Sequence, residues 1–343
     1  MSTSIKQEFT NEVQLQARSK TSPRCWRARA GFSVLGSFVI TLYVFIVFEA
    51  WVLHSIGGIV AAIILAGVLL ALFQEGRCLK LIETSPVSLR HMLISFVTTV
   101  AGAWATYWIS EHLNLGPVAG SALVGLMGAL IIPAYAVPIY CGSFVGMSSA
   151  ALLAGLPEML LAGGICGLVF VLAEDTLNGL GGKLGTIAFS GALLTGLGLQ
   201  RQFLITPVPG FDLAWQIILW ATLAAIFTYW LSMTLKHGPV LASSAVGLMG
   251  GLLLPALFPE NGGLLAVVVI CASFTGMSSS KRFASPWPMV AAGLITGFIF
   301  LYSLPVFGGT GGKLGTIAFG ASLAVWGYQI TYARWKAGKQ AVH

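Results

Sequence analysis

Charge is what this sequence has least of: charged side chains make up 8% of its 343 residues, against 57% hydrophobic, where a soluble globular chain carries roughly 25% charged residues. A soluble fold has no way to hide that much apolar surface, so an independently soluble protein is excluded. Cysteine is scarce and odd in number, with Cys25, Cys78, Cys141, Cys166 and Cys271 in no C-x-x-C spacing, which indicates neither a disulfide framework nor a zinc site. Cys141, Cys166 and Cys271 fall inside apolar runs and read as small packing residues. His, Asp and Glu are unclustered and no Ser-His-Asp arrangement is visible, so the chain reads as a non-enzyme with no cofactor and no metal. Residues 1–30 also lack the short apolar core and small-residue cleavage site of a signal peptide.

What the sequence has in quantity is apolar runs. A membrane helix needs about 20 mostly apolar residues, and such stretches lie at 31–53, 55–74, 91–110, 117–136, 138–155, 158–174, 184–200, 212–233, 239–258, 263–279, 288–304 and 314–333. The fold expected is an all-α polytopic membrane protein of about twelve transmembrane helices. A basic cytoplasmic tail (1–30) carries Lys6, Arg18, Lys20, Arg24, Arg27 and Arg29; two leading helices (31–90) follow, and a short tail (334–343) ends the chain. The net charge of +7 concentrates in these tails and in Arg77, Lys80 and Arg90, which topology explains better than a nucleic-acid partner does. The setting expected is a bacterial cytoplasmic (inner) membrane with both termini inside and the lipid bilayer as a partner.

The region from 91 to 333 is an internal repeat, the feature most diagnostic of architecture. Thr106-Tyr107-Trp108 recurs as Thr228-Tyr229-Trp230, Gly116-Pro117-Val118 as Gly238-Pro239-Val240, and Gly125-Leu126-Met127-Gly128 as Gly247-Leu248-Met249-Gly250. After an insertion around Pro259–Gly263, Gly146-Met147-Ser148-Ser149 returns as Gly276-Met277-Ser278-Ser279, and the nonapeptide Gly181 to Phe189 returns unchanged as Gly311 to Phe319. Each copy (91–200 and 201–333) holds five apolar stretches, and an odd number of crossings sends the second copy through the membrane in the opposite sense. The expectation is a 5+5 inverted structural repeat with broken helices; one re-entrant segment per copy would make the copies parallel instead. With the N-terminus inside, Arg201 and Lys313 are the only loop cations on the outer side. The plan resembles that of urea, ammonium and amino-acid transporter families in architecture alone, because none of their motifs is present.

In transporters of inverted, broken helices the solute path lies between the copies. The G-G-K-L-G-T-I-A-F segment is the sharpest candidate: its glycines permit irregular backbone, the run after them restarts a helix, and exposed N–H groups with a lysine make an anion-attracting concavity. It is not a nucleotide P-loop, since Leu184 and Leu314 follow the lysines. The substrate-binding set read from the repeat is Gly181, Gly182, Lys183 and Thr186 with Gly311, Gly312, Lys313 and Thr316, joined by Ser148, Ser149, Ser278 and Ser279. The serines serve equally well to pack helices closely, and the lysines to mark helix ends. Gly125, Gly128, Gly247 and Gly250 read as packing positions; Gly116-Pro117 and Gly238-Pro239 read as helix starts, and Pro133 and Pro255 as breaks or ends. Glu49, His91, Glu174 and Asp175 are the candidates for proton or cation handling; Leu304 and Pro305 stand where Glu174 and Asp175 map in the second copy, and a wet helix end is the favoured reading of the two acids.

The function expected is a transporter or channel for a small polar solute, an anion ahead of a cation, with homo-oligomerisation left open. A non-transporting scaffold or assembly subunit is the stronger rival, and a membrane-embedded enzyme the weaker.

Overall fold

The computed structural model describes residues 25–79 and 88–340; Lys6, Arg18, Lys20, Arg24 and Lys80 lie outside the described residues. Among those residues there are 12 helices and no strand, and six helices are long and apolar enough to cross a membrane, as an integral membrane protein requires. In chain order the helices are α1 (Cys25–Leu53), α2 (Ser55–Cys78), α3 (Leu89–His112), α4 (Gly116–Ile131), α5 (Ala136–Val145), α6 (Leu156–Ala173), α7 (Lys183–Gly198), α8 (Phe211–Tyr229, ending in a π-turn Trp230–Thr234), α9 (Pro239–Leu257), α10 (Gly262–Gly276), α11 (Trp287–Ser303) and α12 (Lys313–Gln340). The six long ones are α1, α2, α3, α6, α8 and α9.

The proline signals sit where the backbone needs them. Gly116 and Gly238 take φ values of +74° and +84°, which a side chain disfavours, and the prolines after them open α4 and α9 because the first helical turn needs no N–H from proline. Pro133 starts a short 3-10 turn between α4 and α5, whereas Pro255 is absorbed inside α9 near its end.

Within the first copy, α6 runs antiparallel to α3. Gly163 packs on Val100 and Ala103, Gly167 on Phe96, and Glu174 reaches His91. Helix α5 lies along α3 with Gly142 on Thr99 and Gly146 on Ala103 and Thr106, so close that an added methyl would meet backbone oxygen. The second copy repeats these approaches: Gly276 packs on Ala225 and Thr228, Gly293 on Thr222, and Gly297 on Ile218. In both, a glycine lets two helix backbones touch, the usual means of packing where no hydrophobic drive between helices exists.

Contacts between the copies are reciprocal. At the α4–α9 seam Gly125 meets Ser244 and Gly247 meets Ala122. At the α7–α12 seam Gly185 and Gly315 face each other, Gly182 lies against Phe319, and Gly312 against Phe189. Helices α7 and α12 therefore begin in contact and run apart in opposite senses. Between the seams Phe144 and Phe274, the same position of each copy, touch with ring centroids 4.5 Å apart.

The leading helices cover this core from outside. Gly31 of α1 packs on Leu172 and Ala173, and Gly327 of α12 lies against Gly67 of α2. The fully buried Tyr43 fills the space left by Gly320 and donates to the Ile317 carbonyl at 2.7 Å.

Candidate functional site

The repeated nonapeptide forms the start of α7 and of α12, and each copy is held by the other. Gly181 N donates to Ser278 Oγ at 2.9 Å and Gly311 N donates to Ser148 Oγ at 3.0 Å. Ser149 N donates to Gly309 O and Ser279 N to Gly179 O, at 2.8 and 2.9 Å. The four serines chosen from the sequence thus fasten the glycine turns across the copies, and the two turn amides they occupy are withdrawn from any anion.

Lys183 and Lys313 are buried, at 9% and 8% exposure, and their ammonium groups turn away from their own helices. A cation at a helix N-terminus opposes the helix dipole, whereas the C-terminal carbonyls of a neighbouring helix attract it. Lys183 Nζ donates to Glu174 O at the end of α6 (3.2 Å) and to Asn178 Oδ1 (2.5 Å). Lys313 Nζ does the same at the end of α11, donating to Ser303 O and Val306 O, each at 3.0 Å. Thr186 and Thr316 are fully buried one turn on; Thr316 Oγ1 donates back to Gly312 O at 3.3 Å, while Thr186 Oγ1 has no partner.

Beside the start of α7 lies a cavity of about 340 Å³. Its polar walls are His91 and Ser95 of α3, Glu174 and Asn178 of the α6–α7 turn, and Lys183, and its floor includes Phe144 and Phe274 from the two copies. Pro239 and Val240 at the start of α9 close one flank. Of the residues singled out in the sequence, the cavity gathers Gly181, Gly182, Lys183, His91 and Glu174; it does not take in Thr186, the serines, Lys313 or the other second-copy members of the set.

His91 Nε2 and Glu174 Oε1 are 2.8 Å apart, and Glu174 Oε2 is buried with no partner. The neighbouring charges are matched: Asp175 pairs with Arg27 of α1, and Glu75 of α2 pairs with Arg282 at 2.5 Å. Arg282 also donates from Nε to Asn178 O at 3.0 Å and stacks over Trp326, which holds the turn carrying Asn178 against α12. Glu49 lies apart on α1.

Sequence reading missed Ser95, Tyr135 and Asn178 as cavity residues. The signal that finds them is the difference between the copies. Leu213, Ile217, Leu257, Leu304 and Gly308 occupy the second-copy positions of His91, Ser95, Tyr135, Glu174 and Asn178, so one copy keeps a polar wall where the other is apolar.

No protein-family model, curated protein or solved structure matches this chain.

Proposed function

We propose that the chain is a membrane transport protein for a small polar solute, built as two leading helices and a 5+5 inverted repeat crossing a bacterial cytoplasmic membrane twelve times. The observation that carries this reading is the cavity at the meeting of the two copies. At about 340 Å³ it is within the range of small-ligand pockets, it has a polar wall from one copy, and it ends on the Phe144–Phe274 contact. A scaffold has no use for a pocket with a polar wall between its two copies; a carrier places its solute space there.

The opposed courses of α7 and α12 support inversion. So do the short helices: α5 has 10 residues, about 15 Å of rise, and its crossing is completed by the non-helical Gly146–Leu153 segment, as in broken-helix carriers. Charge supports termini on the cytoplasmic side. Arg27, Arg77, Arg90, Lys236, Lys281, Arg282 and Arg334 gather on one face under this topology. The two exceptions lose their force: Lys313 is buried on carbonyls, and Arg201 is neutralised by Glu158 at 2.5 Å.

The test is uptake into proteoliposomes of labelled chloride, nitrate, sulfate, thiosulfate, urea and glycerol. At least one probe is expected to enter well above the rate of protein-free liposomes and to saturate. Rates equal to the control for every probe would overturn the transport reading in favour of a scaffold.

A further inference from the structure

Resting on the transport reading, we propose that the His91–Glu174 pair is a proton site and that the solute is a small anion carried together with a proton.

The argument is one of charge at the cavity. Among the described residues the ionisable groups facing Glu174 are placed as follows: His91 comes from α3, Tyr135 from the turn before α5 with its ring 6.1 Å from that of His91, and Lys183 from α7. Asp175 is neutralised by Arg27 from α1, and Arg282 by Glu75 from α2. What remains is one ammonium, one carboxylate and one imidazole. With the imidazole neutral and the carboxylate ionised, the cavity has no net charge and offers an anion nothing. One added proton leaves it with a single positive charge, partly withdrawn from water, and such a charge favours a monoanion far more there than it would in bulk solvent.

The place for that proton is on the page. Glu174 Oε1 is engaged by His91 Nε2, while Glu174 Oε2 is buried without a donor, an acceptor with lone pairs unused. The proton comes from water on the cavity side and rests on the pair; no covalent bond of the solute changes, and the proton leaves with the anion when the cavity opens to the opposite face. Linkage makes the coupling reciprocal: a proton that tightens the anion is itself tightened by it, by the same factor. Acids and imidazoles are also the side chains that proton-driven carriers use. The apolar second-copy positions, Leu213 and Leu304, confine the chemistry to one side of the pseudo-symmetric path.

The experiment uses full-length protein in liposomes loaded with a pH dye, with the membrane potential held at zero by potassium and valinomycin. Inward gradients of chloride, nitrate, thiosulfate and sulfate are applied in turn, and proton and labelled-anion fluxes are read together. The wild type is expected to acidify the lumen with about one proton per monoanion, the balance that sets the cavity charge, and to move anions faster as the pH on the uptake side is lowered. In Glu174→Gln, which cannot take the proton, the proton-to-anion ratio should fall to near zero and the pH dependence should flatten, whatever the absolute rate. Wild-type anion flux without acidification overturns the coupling, as does a wild-type ratio in a Glu174→Gln protein that elutes as one folded species. If that variant does not fold, the wild-type ratio alone decides. Flux of urea or glycerol but of no anion overturns this inference and leaves the transport reading standing; no flux of any probe removes both.

Discussion

Replacing Gly185 by leucine is expected to leave no folded, monodisperse protein, and Gly315→Leu to do the same. A side chain at Gly185 would put its first carbon 2.3 Å from the Gly315 Cα, and one at Gly315 would lie 2.4 Å from the Gly185 Cα. Both obstacles are backbone at the seam where α7 and α12 begin, so no rotamer change relieves them. Overpacking of a core usually costs about 1–3 kcal/mol when neighbours can shift; here the two helices themselves must separate, and Ser148 and Ser278 would lose the turn amides they hold. Gly164, where an added methyl meets nothing within 4 Å, is the control: Gly164→Leu should elute and melt as the wild type does. The check is size-exclusion profile and thermal melting in detergent. A Gly185→Leu protein with wild-type melting would mean that the α7–α12 contact is not as close as described.

Replacing either repeated lysine by methionine is expected to destabilise the protein. Methionine keeps the apolar stem and removes the donor, leaving Glu174 O and Asn178 Oδ1, or Ser303 O and Val306 O, without their partner. A buried acceptor left unsatisfied costs about 1–3 kcal/mol. Lys313→Met should be the more damaging, because both its acceptors are backbone carbonyls at the end of α11, whereas the cavity beside Lys183 gives water a way to replace the lost donor. Lys183→Met should in addition lose solute flux, because it removes the positive charge that Lys183 brings to the cavity wall. Melting of the two variants against wild type, with tracer uptake, separates these effects; unchanged melting in both would show that the ammonium groups are not helix-end ties.

Much of the architecture was legible in the sequence because apolar runs and helices coincide in a bilayer. Each of the twelve apolar stretches overlaps one of α1 to α12, and the helix-starting prolines at 117 and 239 stand as read. The places where reading stopped short depend on distant residues. The stretch 138–155 yields a helix only to Val145, because the segment after it bonds the glycine turn of the other copy. The lysines read as anion contacts or topology markers; that their head groups tie the ends of α6 and α11 follows from those helices folding back beside α7 and α12, which spacing does not reveal. His91 and Glu174 were legible separately, yet their pairing across the antiparallel α3 and α6 was not. The apolar counterparts in the second copy were the trace of it available in the sequence.

The most direct test of the inverted repeat uses one position in both copies. Ala151 and Lys281 each stand two residues beyond the serine that binds the opposite glycine turn, and both are exposed. In a background with Cys25 and the exposed Cys78 replaced by serine, Ala151→Cys and Lys281→Cys should react with a membrane-impermeant maleimide from opposite faces of the membrane, Ala151→Cys in intact spheroplasts and Lys281→Cys only in inside-out vesicles. Labelling of both from the same face would contradict the inversion, and with it the path between opposed copies.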